Sequence, residues 1–267
     1  MKSSLTALLD NQPVVLTDGA TGTNYMLRGL GAGEPPEFWN FDKPNEVLGL
    51  HRQFIEAGAE IILTNTFGCN RQRLKLHKAE NRVYELAKRA AELARETADA
   101  AAHPVVVAGS VGPTGELFQP LGELTLEAAL ESFEEQMRGL RDGGTDVVWI
   151  ETLSSTEELN AAAEASIKLG LPYVVTCTFD TAGRTMMGVL PNELDGSIAG
   201  QPVAPLAIGA NCRRRLRYPG YSAGNAAIDP RAHIEGQLRR SALPWNRVRV
   251  LRDARADGQI CNAGYRC

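Results

Sequence analysis

A chain of 267 residues is long enough for one α/β barrel or for two small domains. Its 43% hydrophobic content and formal net charge of −4 are ordinary for a globular protein. The sequence contains no run of about 18 apolar residues, which is the pattern that predicts a membrane span. Five irregularly spaced cysteines argue against a disulfide framework, and the N-terminus does not resemble a signal peptide, so we expect a cytoplasmic protein.

Charge divides the chain into two parts. Residues 1–212 carry 16 basic and 28 acidic side chains, whereas residues 213–267 carry 12 basic and 4 acidic ones. All of the basic residues in the second part are arginine. The composition therefore changes abruptly after Cys212.

Six short β-rich segments follow one another through residues 1–212, each ending in small or polar residues. Continuous apolar runs of this length are typical of parallel strands that are buried on both faces. The predicted strands are Val14–Ala20, Glu60–Phe67, Pro104–Gly112, Asp146–Thr152, Pro172–Asp180 and Pro205–Cys212.

Helical patterns separate these segments. Ser155 stands three residues before Glu158, which is the spacing of a capping box and predicts the start of the last helix. The predicted helices are Asn45–Ala57, Leu74–Ala101, Thr125–Arg141 and Glu157–Leu169.

Strands that alternate with helices indicate a parallel α/β fold, either a closed (β/α)₈ barrel or an open doubly wound sheet. The first strand ends in DGATGT, which is not a dinucleotide-binding glycine motif. Polar residues end nearly every predicted strand, and a barrel gathers such ends at one face. This favours a TIM barrel, incomplete because only six strands are recognisable.

Two carboxylates end predicted strands and are candidates for a site. Asp18 and Glu151 would point into the mouth of a barrel, where they could bind a substrate ammonium group or transfer protons. Alternatively, they cap helices or pair with basic neighbours. Asn65 and Ser110 are either hydrogen-bonding groups of the same site or turn residues.

Cys212 ends the sixth predicted strand within GANC. A lone cysteine there is either a small buried apolar residue or a thiolate that binds a metal. Cys69, in a loop, and Cys177, within a strand, are weaker candidates.

Six motifs in order give the chain a resemblance to a known family, the homocysteine S-methyltransferases, and within it to bacterial proteins called betaine-homocysteine methyltransferase. They are spread over essentially all of residues 13–212. The motifs are DGATGT at 18–23, LTNTFG at 63–68, AGSVGPTGE at 108–116, WIET at 149–152, TFDTAGRTMMGV at 178–189 and IGANC at 208–212.

The resemblance implies a (β/α)₈ barrel that transfers a methyl group from betaine or a related donor to the sulfur of homocysteine, forming methionine. It implies that Asp18 and Glu151 bind the amino group of homocysteine and that the loops at 65–68 and 109–112, with Gly19, Asn65 and Ser110, line the pocket. It further implies small-molecule substrates, with neither nucleic acid nor membrane as a partner.

Zinc activation of the homocysteine thiol is also implied by the resemblance. In the family three cysteines hold the ion, and a thiol bound at its fourth position is deprotonated. Cys212 matches the first of these ligands. The other two belong to a later Gly-Gly-Cys-Cys motif, which residues 213–267 do not contain.

A frameshift explains this departure. Reading Arg213–Pro219 one base out of frame permits Val-Gly-Ala-Ser-Asp-Ile-Leu, which resembles the family, and the same shift gives family-like segments for 235–241 and 253–267. We therefore divide the chain into a homocysteine-binding barrel at 1–212 and an aberrant, out-of-frame Arg-rich tail at 213–267.

Other interpretations of the chain remain open. The tail could be a nucleic-acid-binding arm, since aromatic residues are interspersed among its arginines. An aldolase-like barrel would need a lysine at a strand end, and no lysine lies in a predicted strand. Finally, the chain could be a catalytically dead, truncated barrel that at most binds homocysteine.

Overall fold

The computed structural model of the chain describes residues 4–11, 14–180 and 182–211, together with the backbone of two short strands at 237–239 and 247–251. Among these residues eight strands form one sheet, in the order β1-β8-β7-β6-β5-β4-β3-β2. The strands are β1 (Val14–Leu16), β2 (Ile61–Leu63), β3 (Val106–Val111), β4 (Val147–Leu153), β5 (Tyr173–Cys177), β6 (Ala207–Ala210), β7 (Gln237–Arg239) and β8 (Arg247–Leu251).

The strands β2 to β6 run parallel to one another, as the sequence predicts. By contrast, β7 is antiparallel to both β6 and β8. The two ends of the sheet, β1 and β2, are linked by one parallel bridge between Thr17 and Ile61. Because an antiparallel pair interrupts the repeat of parallel strands, the fold is an incomplete (β/α)₈ barrel.

Helices cover the outer face of the parallel strands. A 3-10 helix at Pro36–Phe38 precedes α3 and lies beside the loop that follows β2. The α-helices are α1 (Leu5–Asn11), α2 (Thr21–Leu27), α3 (Trp39–Asp42), α4 (Pro44–Glu56), α5 (Arg71–Lys75), α6 (Val83–Asp99), α7 (Leu126–Asp142), α8 (Thr156–Lys168) and α9 (Leu194–Ile198). In the described part of the chain, none of the helices combines the length and the apolar character that crossing a membrane requires.

The predicted helix Leu74–Ala101 is wrong in its first third. The structure has α5 ending at Lys75 and α6 beginning at Val83, with Lys78 between them at a φ of 55°. Residues other than glycine rarely adopt this backbone conformation, and a residue in it ends a right-handed helix. The other predicted helices agree with the structure to within one residue at each end.

Alternation along the parallel strands sorts side chains between the inside of the barrel and the helices. Val106 and Ala108 on β3 and Val147 and Trp149 on β4 belong to the inner cluster, which also contains Leu5 of α1. Their neighbours in sequence pack against the helices instead. Since side chains alternate with a period of two, this register directs the residues at positions 110 and 151 inward, at the ends of β3 and β4.

A buried histidine in α4 should make the stability depend on pH. His51 is 1% exposed, neither ring nitrogen has a hydrogen-bond partner among the described residues, and burial lowers its pKa to about 4. The folded chain keeps the ring neutral, whereas the unfolded chain binds a proton below about pH 6.5. Stability is therefore lost as the pH falls from about 6.5 towards 4.

We predict that the replacement His51→Leu removes this loss. Between pH 7 and pH 5 the histidine contributes about 2 kcal/mol to the fall in unfolding free energy, which urea titrations at both pH values will measure. His103→Gln, which removes a half-buried histidine bonded to the carbonyl of Ala59, is the control and should keep the loss. An unchanged pH dependence in the His51→Leu chain would contradict the assignment.

Candidate functional site

A pocket of about 590 Å³ opens where the strands β2, β3 and β4 end. Its walls come from the turn after β1, the segment that leads into α3, the loop after β2, and α5. The lining residues include four of the predicted site residues, namely Gly19, Asn65, Ser110 and Glu151. None of the described lining residues is a lysine, so the pocket offers nothing for the Schiff-base chemistry of an aldolase.

Glu151 is one of the acidic residues that line the pocket. Its side chain is 5% exposed, and the Ser110 hydroxyl donates a hydrogen bond to its Oε1 at 2.6 Å. Ser110 is held in turn, because its backbone N–H donates to Thr64 Oγ1 at 3.0 Å and its carbonyl accepts from Thr66 Oγ1 at 2.7 Å. The carboxylate therefore sits at a position fixed by three neighbouring strand ends.

Asp18 lies at the junction of β1 and β2, next to the pocket-lining Gly19. It is 1% exposed, and its Oδ2 accepts a hydrogen bond from the backbone N–H of Leu63 at 2.7 Å. Its own N–H donates to the carbonyl of Ile61 at 2.9 Å. The side chain and backbone of Asp18 thus pin the turn after β1 to β2.

Asn65 fastens the loop after β2 to the segment in front of α3. Its Nδ2 donates to the carbonyl of Pro36 at 2.7 Å and to Asn40 Oδ1 at 3.0 Å. In turn, Asn40 donates a hydrogen bond from its Nδ2 to the carbonyl of Asn65 at 3.1 Å. The side chain of Asn65 is therefore used in building the pocket wall.

A second buried carboxylate in the pocket was missed by sequence reasoning. Glu37 is 3% exposed, and its Oε1 accepts from the backbone N–H of Gly68 at 2.6 Å. Burial raises the pKa of this carboxyl, while its hydrogen bonds and the charge of Arg73 oppose the shift. The one sequence signal was a glutamate within a proline and aromatic stretch, PPEFW.

Asn211 ties the end of β6 to the end of β4. Its Oδ1 accepts from the N–H of Thr152 at 3.1 Å, and its Nδ2 donates to Thr152 Oγ1 at 2.6 Å. Thr152 has a φ of 67°, which a β-branched residue adopts only when its surroundings enforce it. Asn211 supplies that constraint directly beside Glu151.

The described cysteines do not form a metal site. Cys69 and Cys177 are buried, and burial raises the pKa of both thiols, that of Cys177 to about 12. Thiols held protonated in this way are poor metal ligands. No group of three metal-binding side chains occurs within the described part of the chain, and the predicted ligand Cys212 lies outside it.

Comparison with known proteins places this geometry in a family. A sequence profile described as homocysteine S-methyltransferase matches residues 15–219, which is most of the chain. The chain belongs to the homocysteine S-methyltransferase family. Methionine synthase from Mycobacterium leprae is 32% identical over 219 residues, and that from Mycobacterium tuberculosis is 31% identical over 225 residues. These alignments cover 75% and 78% of this chain but only 18% of each relative, so the chain spans less than a fifth of the curated relatives' length.

A solved structure shares the fold over a similar stretch. The homocysteine methyltransferase MmuM from Escherichia coli, in its metallated form, superposes with a TM-score of 0.67 at 25% identity. The match covers 77% of this chain and 77% of that one. It supports the incomplete barrel as a version of the family fold.

We predict that Asn211→Ala lowers the free energy of unfolding by about 1–3 kcal/mol, because the Thr152 N–H loses its acceptor in a half-buried site. Chemical denaturation measures the change. Asn192→Ala, at an exposed position without a side-chain hydrogen bond among the described contacts, is the matched control and should change stability by less than about 0.5 kcal/mol. Equal effects of the two substitutions would show that Asn211 does not hold the end of β4.

Proposed function

We propose that the chain binds homocysteine in the pocket at the ends of β2, β3 and β4 and transfers a methyl group to its sulfur, forming methionine. One observation carries the proposal within this family: the carboxylate of Glu151, 5% exposed, borders a pocket of about 590 Å³. A carboxylate beside such a cavity can accept charge-assisted hydrogen bonds from a cation that enters it. The ammonium group of an amino acid is such a cation.

The roles of the other predicted residues follow from this orientation. Glu151 and Asp18 bind the ammonium group, and Ser110 keeps the Glu151 carboxylate in place. The loops at 65–68 and 109–112 lie near the carboxylate of homocysteine. Support comes from the hydrogen bonds that fix these groups, namely Ser110 to Glu151 at 2.6 Å and Leu63 N–H to Asp18 at 2.7 Å.

In the proposed reaction the homocysteine sulfur attacks the methyl carbon of the donor. The new carbon–sulfur bond forms as the bond between the methyl group and the donor breaks, and the electron pair of that bond stays on the donor. After losing the methyl group, betaine leaves as dimethylglycine, whose nitrogen is a tertiary amine, and a sulfonium donor leaves as a thioether. The sulfur must first lose its proton, because the thiolate is the nucleophile.

Zinc is the group that supplies this thiolate in the family that the sequence resembles. We propose Cys212 as a zinc ligand, on the basis of its place in GANC. The two described thiols, Cys69 and Cys177, do not fit as ligands because both are buried in the core. The remaining cysteines, Cys261 and Cys267, do not stand in a Gly-Gly-Cys-Cys motif.

A second candidate is a protein that binds homocysteine without turning it over. It is favoured by the missing Gly-Gly-Cys-Cys motif, since zinc affinity depends on a complete ligand set. This second candidate is the one expected if the chain consists of a barrel at 1–212 and an out-of-frame tail at 213–267, as we propose. Sequencing the gene from the codon of Pro205 onwards tests that division, because an intact reading frame encoding 213–267 as printed would exclude a sequencing error.

We predict that Glu151→Gln weakens homocysteine binding by about ten- to a hundredfold, because the amide keeps the shape of the side chain but loses its charge. Calorimetric titration of the full chain with L-homocysteine measures the affinity. Glu157→Gln, an exposed glutamate in the first turn of α8, is the matched control and should bind as the unaltered chain does.

The outcomes separate the two candidates. Homocysteine binding that is lost in Glu151→Gln, together with methionine formation from betaine in a mass-spectrometric assay, supports the methyltransferase. The same binding without methionine supports the second candidate. Homocysteine affinity that is unchanged by Glu151→Gln would contradict both, since both place the ammonium group at this carboxylate.

A further inference from the structure

The charges around the pocket are distributed unevenly. Three carboxylates line it, those of Glu34, Glu37 and Glu151, whereas Arg73 is the one arginine or lysine among the described lining residues. A ligand that carries both charges would therefore turn its cationic end towards the acidic groups. Arg73 offers the anionic end of such a ligand a favourable position.

The backbone of Arg73 is held in place at the start of α5. Its N–H donates to Asn70 Oδ1 at 3.0 Å, which caps the helix. Asn70 also donates from Nδ2 to the carbonyl of Pro113 at 3.1 Å, and the N–H of Arg71 donates to Ser132 Oγ at 3.0 Å. The start of the α5 backbone is therefore held on two sides.

Two observations locate the guanidinium group of Arg73. It lies against Gly115, where an added Cβ would come within 3.3 Å of Nη1. It is also close enough to Glu37 for its charge to lower the pKa of that buried carboxyl. The group therefore lies between the loop after β3 and the wall formed by Glu37.

Arg71 on the same helix points elsewhere. Its Nη2 contacts Glu135 at 2.6 Å and its Nη1 lies 3.8 Å from Glu131, both on α7. Within the described residues no acidic partner lies within ion-pair distance of Arg73. Arg71 thus ties α5 to α7, whereas the exposed side chain of Arg73 lines the pocket.

We propose that Arg73 binds the carboxylate of the methyl donor and so selects donors that carry one; this assignment rests on the proposed function. Homocysteine occupies the side of the pocket at Glu151, and its carboxylate lies at the loops after β2 and β3. A volume of about 590 Å³ has room for a second small molecule. Arg73 is the group suited to that second carboxylate, because guanidinium binds carboxylate through two parallel hydrogen bonds.

The test compares two ligands that differ in the carboxylate. Betaine and choline share a trimethylammonium group, but choline has a hydroxymethyl group in place of the carboxylate. We expect the full chain to bind betaine at least about tenfold more tightly than choline, and Arg73→Gln to abolish this preference while leaving homocysteine affinity unchanged. Calorimetric titration with each of the three compounds gives the affinities.

Two further variants make the comparison specific. Arg73→Lys keeps the charge but loses the two-pronged geometry, so it should retain part of the preference for betaine. Arg71→Gln removes an arginine two residues away and should bind all three compounds as the unaltered chain does. Thermal unfolding of each variant checks that α5 remains folded.

Several results would overturn the assignment. These are an unaltered chain that does not prefer betaine over choline, a preference that survives in Arg73→Gln, and a loss of homocysteine affinity equal to that of betaine. Failure of the proposed function looks different. A chain that prefers betaine through Arg73 but binds no homocysteine would retain the carboxylate site and lose its assignment as a homocysteine-binding protein.

Discussion

The hydrogen bond from Ser110 to Glu151 joins the ends of β3 and β4 at 2.6 Å, and the rest of the site is arranged around it. It holds a carboxylate that is 5% exposed at the edge of a cavity, in a position from which a cation can reach it. The threonines of the loop after β2 fix Ser110, and Asn211 fixes the residue that follows Glu151. The ends of four parallel strands, β2, β3, β4 and β6, thus contribute to the position of one charge.

This arrangement explains why the incomplete barrel can still carry a recognisable site. The pocket is built from the ends of β2, β3 and β4 and from the segments at 19–25, 33–37 and 73–77. The three strand ends belong to the parallel part of the sheet. The antiparallel pair β7 and β8 lies on the other side of the sheet order, between β6 and β1.

Much of the fold could be predicted because its strands are buried on both faces. Every residue of β2, β3 and β5 is buried, so the apolar runs stand out in the sequence. Alternation from Val106 and Val147 then places Ser110 and Glu151 on the inner face without further information. The capping bond of Ser155 to the N–H of Glu158 also follows from spacing, although the Glu158 carboxylate turns to Thr114 instead of completing the box.

The groups that could not be predicted lie on segments without periodic patterns. Glu37 comes from a single 3-10 turn, and Arg73 from a five-residue helix of which the predicted helix Leu74–Ala101 includes only the last two residues. Their positions depend on long-range bonds, such as Gly68 N–H to Glu37 and Asn70 to Pro113, which no local pattern encodes. The zinc ligands stay a prediction, because Cys212 lies outside the described residues.

The proposed function requires that the buried carboxylates at the ends of β1 and β4 recognise an amino group. The most direct test compares the affinity of the full chain for homocysteine with its affinity for 4-mercaptobutanoate, which is the same molecule without the amino group. We expect homocysteine to bind at least about tenfold more tightly, because only homocysteine carries an ammonium group. Equal affinities would show that the pocket holds its ligand without using Glu151 and Asp18.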